Sequence, residues 1–269
     1  MTIVAVLSMK GGVGKSTVTL GLASAAWDRS LRTLVIDLDP QANATMALDA
    51  RDAVFTTSDV LADARPGVAV DAVVPSGWAE GIDLIPSERS LEHRNVAQGR
   101  HSALRLRTAL ATLPRSYGLV VIDCPPSLGE LTRNALSTAD VAVVVTEPSH
   151  FSLHGAKEAL EAVDVIAAAT NPDLRAKALV VNRFDPDDRE HLLNLQRLSE
   201  AHGPLVYDPP LPVCSAIPAT QRAVSPIHAW NAPGSRDVAD IMDDLLDSLL
   251  PRKRPEREIP KVSIRRFLT

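Results

Sequence analysis

Consecutive apolar residues, rather than alternating ones, punctuate this chain. Runs at residues 3–7, Thr33–Asp37, Leu119–Asp123, Val141–Thr146 and 178–181 are short and rich in valine, isoleucine and leucine. Such runs predict strands buried on both faces of a parallel sheet. Between them lie segments with helical spacing at 16–27, 129–137, 151–169, 188–201 and 236–249. In 151–169 the apolar stripe is Ala156, Leu160, Val163 and Ile166. The last segment places Val238, Ile241, Met242, Leu245, Leu246 and Leu249 on one side, and Asp237, Asp240, Asp243 and Asp244 on the other. That is an amphipathic helix with its apolar side against the domain.

The middle of the chain is less regular. The pattern there predicts a helix at 58–64, short strands at 70–74 and 81–85, and one long helix from 87 to 113 ending near Pro114. The arginines of the long segment (Arg89, Arg94, Arg100, Arg105, Arg107) read as a solvated face. Strand–helix alternation predicts one α/β domain over residues 1–250. Its doubly wound, mostly parallel sheet carries helices on both faces. A basic tail follows at 251–269.

Composition adds limits. A 45% hydrophobic and 23% charged chain of 269 residues is a globular balance for one domain of this size. No apolar run approaches the roughly 18–20 residues of a membrane span. The chain enters its first strand at once, which argues against a signal peptide, and a cytoplasmic protein is the simplest reading. Cys124 and Cys214 have no metal-ligand spacing, and Cys124 is expected to pack as a small apolar residue. The formal charge is −5, yet the tail carries Arg252, Lys253, Arg254, Arg257, Lys261, Arg265 and Arg266. Such a tail suits non-specific phosphate contacts or simple solvation.

The chemistry concentrates in Met9-Lys10-Gly11-Gly12-Val13-Gly14-Lys15-Ser16-Thr17. A strand, a glycine-rich turn and a helix N-terminus make a phosphate site, because backbone N–H groups and the helix dipole both favour an anion. Lys15 is placed to reach the β- and γ-phosphates of a nucleotide, and the Ser16 hydroxyl to ligate Mg²⁺. The usual pattern has glycine where Met9 stands. Here a second lysine, Lys10, precedes the glycines instead.

Three carboxylates close apolar runs or follow them: Asp37, Asp39 and Asp123. Ligands gather at the carboxyl ends of parallel strands, so all three are expected beside the loop. Each alone could be a turn or cap residue. The strings Asp37-Leu38-Asp39-Pro40-Gln41 and Asp123-Cys124-Pro125-Pro126-Ser127 after such a loop make a metal and water site the better reading. Asn182, at the end of the fifth run, suits either a turn or a base contact.

The string from Lys10 to Thr17, with these two carboxylate motifs, resembles the deviant P-loop of the ParA/MinD family of dimeric ATPases. The resemblance spans roughly residues 1–250 and looks closest to the short, Soj-like branch, since no helix-turn-helix region precedes the loop. It implies a P-loop NTPase fold with ATP and Mg²⁺ as cofactors. Lys10, Gly11, Gly12, Val13, Gly14, Lys15, Ser16 and Thr17 would cradle the nucleotide, with Asn182, Arg183 and the backbone at Pro212 around adenine. Asp39 would position the attacking water in switch I, Asp123 would hold the metal's water shell, and Asp37 would support that site. Lys10 would cross a two-fold interface to the partner's ATP, making an ATP-dependent homodimer.

The implied activity is ATP hydrolysis coupled to DNA partition, stimulated by a ParB-like centromere-binding partner. A MinD-like membrane-surface ATPase is the alternative. It is disfavoured by a chain end (Val262 to Leu268) that is only weakly amphipathic. One departure stands out. The segment after Leu211-Pro212 lacks the arginines with which the family contacts DNA. DNA contacts would then fall to Arg222 or to the tail, beginning with Arg252, Lys253 and Arg254.

Overall fold

A computed structural model describes residues 1–97, 99, 101–114, 116–149 and 152–251. The elements run β1 (Thr2–Leu7), α1 (Lys15–Asp28), β2 (Thr33–Asp37), α2 (Asn43–Ala47), α3 (Thr57–Asp63), β3 (Val74–Pro75), β4 (Ile82–Ile85), α4 (Arg105–Ala109), β5 (Leu119–Asp123), α5 (Glu130–Thr138), β6 (Val141–Thr146), α6 (Ser152–Ala169), β7 (Arg175–Val181), α7 (Arg189–His202), α8 (Ala216–Arg222) and α9 (Ser235–Leu249). The strands form one sheet in the order β3-β4-β2-β5-β1-β6-β7. Every pairing is parallel except β3 with β4. This is the doubly wound, mostly parallel α/β sheet that the apolar runs predict.

Strand alternation sorts the core into two layers. Val4 and Val6 of β1, Leu119 and Val121 of β5, and Val143 and Val145 of β6 face α1 and α9. Ala5, Leu7, Val120, Ile122, Ala142 and Val144 face the opposite way, toward α5 and α6. Both sides of each central strand are therefore covered, which is why these strands carry no polar alternation. Cys124 is fully buried in the second layer, as expected of a small apolar residue. Helix α9 lays Val238, Met242, Leu245, Leu246 and Leu249 on the first layer. On its acidic side, Arg29, which caps the end of α1, pairs with Asp243 and Asp247.

The middle of the chain departs from its pattern. The stretch 87–113 is not one long helix. It forms 3₁₀ turns at Arg89–Arg94 and Ser102–Leu104, then the short α4. Gly99 adopts φ +97°, outside the helical range. The backbone carbonyl and the side-chain Oδ1 of Asn95 accept hydrogen bonds from the N–H groups of Glu130 and Leu131, each at 3.4 Å. Capping the start of α5 takes Asn95 out of any continuous helix. Residues 70–74 are likewise no strand. Val68–Ala72 is a 3₁₀ turn that buries Ala69 and Ala72, three apart, and only Val74–Pro75 pairs with β4.

The two borders of the sheet are finished differently. On one, β3 is two residues long and contains Pro75, while Ser76 N–H donates to the Ile82 carbonyl. On the other, residues 206–213 run beside β7 and its continuation. Tyr207 and Leu211 donate their N–H groups to the carbonyls of Leu179 and Val181, each at 2.9 Å, and Phe184 bridges to Pro212.

Candidate nucleotide site

Register brings the carboxylates together. In the β2–β5 pairing Asp37 lies opposite Asp123, and in the β1–β5 pairing Val6 lies opposite Asp123. The loop leaving β1 therefore starts beside both. It turns through Gly12 (φ +79°) and Gly14 (φ +98°), and α1 begins at Lys15. A Cβ at Gly14 would lie 2.0 Å from Nδ2 of Asn182, so this turn tolerates only glycine on both steric and conformational grounds.

Lys15 is 5% exposed, yet among the described residues it forms no hydrogen bond or salt bridge. A largely enclosed lysine whose ammonium has no fixed partner, at a helix N-terminus, is what an arriving phosphate would find. The cavity in front of it has a volume of about 720 Å³ and is lined by Gly12, Lys15, Ser16, Thr17, Asp39 and Arg222 among others.

The Ser16 hydroxyl donates to Asp123 Oδ2 at 2.6 Å, and Thr19 donates to Oδ1 at 3.3 Å. Burial, with the Asp37 charge beside it, pushes Asp123 up to about 8. Burial likewise pushes Asp37 up to about 6 and raises Asp39. Of the three carboxylates only Asp123 meets the Ser16 hydroxyl, and burial, together with the neighbouring Asp37 charge, makes its negative form costly without a cation. A hard divalent cation with oxygen ligands would favour the charged form of Asp123. The donors are all oxygens, and Mg²⁺ shared with phosphate groups needs only a few from the protein. Ser16 and Asp123 would hold it, and bound Mg²⁺ would supply charge neutralisation at the phosphates.

Asp37 is placed differently from Asp123. Its Oδ2 accepts from the N–H and hydroxyl of Thr45, at 2.8 and 2.7 Å, and its Oδ1 from Asp39 N–H at 3.0 Å. It therefore pins the loop that carries Asp39. That loop is fastened again from the segment after β4, because Ser87 donates to the Asp39 carbonyl at 2.7 Å. Asp39 faces the same cavity as Lys15. Thr45 and Ser87 belong to no motif, and nothing in the sequence marks them.

On the other flank of the loop, Asn182 sits at the end of β7 and donates from Nδ2 to the Val13 carbonyl at 2.8 Å. Its buried Oδ1 has no hydrogen-bond partner. Arg183 (φ +56°) follows, and Pro212 lies beside Phe184 through the parallel bridge. The residues expected around a base thus gather on one side of the phosphate loop. Lys10 is not in the cavity. Its side chain is 56% exposed and pairs with Glu147 at 3.1 Å. Arg222, expected at a DNA surface, instead lines the cavity from α8, while Arg252, Lys253 and Arg254 lie outside the described residues.

Comparison with known proteins places this geometry. A family model described as an AAA domain matches residues 1–176. The chromosome partitioning protein ParA of Caulobacter vibrioides is 33% identical over 79% of this chain and 80% of its own length. The sporulation initiation inhibitor protein Soj of Bacillus subtilis is 30% identical over 68% of this chain and 73% of its own. Among solved structures, cobyrinic acid a,c-diamide synthase from Mycobacterium smegmatis with bound ADP and magnesium is 26% identical. It superposes with a TM-score of 0.77 over 95% of this chain and all of that one. The chain belongs to the ParA/MinD family of deviant P-loop ATPases.

Proposed function

We propose that this chain is an ATP-driven dimerising switch for DNA partition, released by Mg²⁺-dependent hydrolysis that a ParB-like protein stimulates. The observation that carries the reading is the contrast between the two lysines of one loop. Lys15 is buried and faces its own cavity, whereas Lys10 stands outside it with half its side chain in solvent. A lysine so placed does not duplicate Lys15 in its own cavity, which supports the role the family resemblance assigns it, at the phosphates of a partner's ATP.

Hydrolysis of a phosphoanhydride needs charge neutralisation and an aligned nucleophile more than covalent chemistry. Lys15 and the loop amides hold the phosphates, and Ser16 and Asp123 keep the metal. Asp39, fixed through Asp37 and Ser87, orients water. Asn182, with an unpartnered oxygen, suits the exocyclic amine of adenine. Non-specific DNA is bound through basic residues at the chain's end, since Arg222 is turned to the cavity. The protein works at the nucleoid. Among the described residues no helix is long and apolar enough to cross a membrane.

Light scattering after size exclusion, with ATP and Mg²⁺, tests the switch. Asp39→Ala should bind ATP, fail to hydrolyse it and accumulate as a dimer. Lys10→Ala should keep nucleotide affinity and remain a monomer. A dimeric Lys10→Ala protein, or normal turnover by Asp39→Ala, would overturn the reading.

A further inference from the structure

Glu147 is absent from every motif of this sequence, yet it joins two residues expected at the nucleotide. It follows β6 directly, and the β6–β7 register sets Thr146 opposite Val181. That register puts Glu147 beside the Asn182-Arg183 corner. One carboxylate oxygen accepts from Lys10 at 3.1 Å and the other from Arg183 at 2.7 Å. The Glu147 side chain is only 18% exposed, against 56% for Lys10 and 59% for Arg183. The anion is thus the fixed member, and the two cations are drawn to it.

We propose that Glu147 is a latch for Lys10, holding it on its own subunit until ATP draws two copies of the chain together. The proposal rests on the dimer reading above. The exclusion is one of position. The 3.1 Å contact holds the Lys10 side chain against its own subunit, and to meet a phosphate across an interface that side chain must swing away from Glu147. Release is not prohibitive. When Lys10 leaves, Glu147 keeps Arg183, so no buried carboxylate is stranded without a cation. A pair with one partner more than half exposed is worth little. The latch therefore sets a threshold for ATP rather than a block.

The threshold is measurable as the ATP concentration giving half-maximal dimer, by light scattering of full-length protein with Mg²⁺. Glu147→Gln keeps the shape and removes the charge, and should lower that concentration by roughly threefold to tenfold. ATP affinity, measured on protein too dilute to dimerise, should change by a smaller factor than the threshold, since Lys10 lies outside its own cavity and only Arg183, at the base side, also loses a partner. If Glu147→Gln does not fold, Glu147→Asp shortens the carboxylate's reach and should lower the threshold by a smaller factor.

An unchanged or raised threshold overturns the latch. So does a monomer affinity that rises by the same factor as the threshold falls, because local charge would then explain both. Wild-type protein that stays monomeric at saturating ATP overturns the dimer reading and the latch with it. A wild-type dimer with an unmoved mutant threshold overturns the latch alone.

Discussion

Ser16 and Asp123 are 107 positions apart in the chain and meet through a 2.6 Å hydrogen bond. The bond ties the first turn of α1 to the end of β5, joining the phosphate loop to the carboxylate proposed to hold Mg²⁺. Ser16→Ala should leave nucleotide binding without metal nearly intact. It should weaken the Mg²⁺-dependent tightening by roughly tenfold to a hundredfold, as loss of a ligand or its support does at other metal sites. Titration of nucleotide with and without Mg²⁺ reads the difference.

The buried carboxylates make the metal-free protein pH-sensitive. Asp37 and Asp123 hold protons more tightly folded than unfolded. The folded state then binds more protons, and stability falls as pH rises from about 4 through about 8. Thermal melts in chelator should show the midpoint dropping across that range. Asp123→Asn should flatten the slope and melt higher than wild type at the alkaline end.

Gly14→Ala tests the loop's contact with the base side. The new methyl would meet the Asn182 amide, and the backbone at φ +98° is strained for any side chain. A loss of about 1–3 kcal/mol in stability is expected from the backbone alone. Nucleotide affinity should fall as well, because Asn182 must leave the Val13 carbonyl. Chemical denaturation and nucleotide titration on the same sample measure both.

Deleting residues from 252 onward should weaken binding to DNA of arbitrary sequence and flatten its dependence on salt, if Arg252, Lys253 and Arg254 meet phosphates. ATP turnover should survive. Affinity measured at several salt concentrations, before and after deletion, decides whether the tail carries the phosphate contacts.

The parts legible in the sequence are those where one residue type has one physical use. Apolar runs such as 119–123 had to be buried strands, and the Lys10 to Thr17 string had to be a phosphate loop. Asp37 and Asp123 end β2 and β5, and Asp39 follows two residues after β2, which is why all three fall on the loop's side of the sheet. Less legible was whatever depends on partners far along the chain. Asn95 caps α5 from 36 positions away from Leu131, and no periodicity reveals that, so residues 87–113 read as a helix. Arg222 read as a surface arginine because the short helix α8 that turns it toward the cavity has no apolar stripe of its own. Glu147 shows no signal at all: its meaning comes from the register of β6 against β7.

The finish of the two sheet borders bears on how such a molecule can be stored at high concentration. If the chain associates and separates with ATP as proposed, any route to association that ignores the nucleotide endangers it. Exposed strand edges offer that route, since backbone pairing has no use for fuel. Here Pro75 withholds a donor on one margin, and the Tyr207–Val213 segment occupies the other. With the margins closed, copies are left to meet through side chains, and side chains can be made to wait for a ligand.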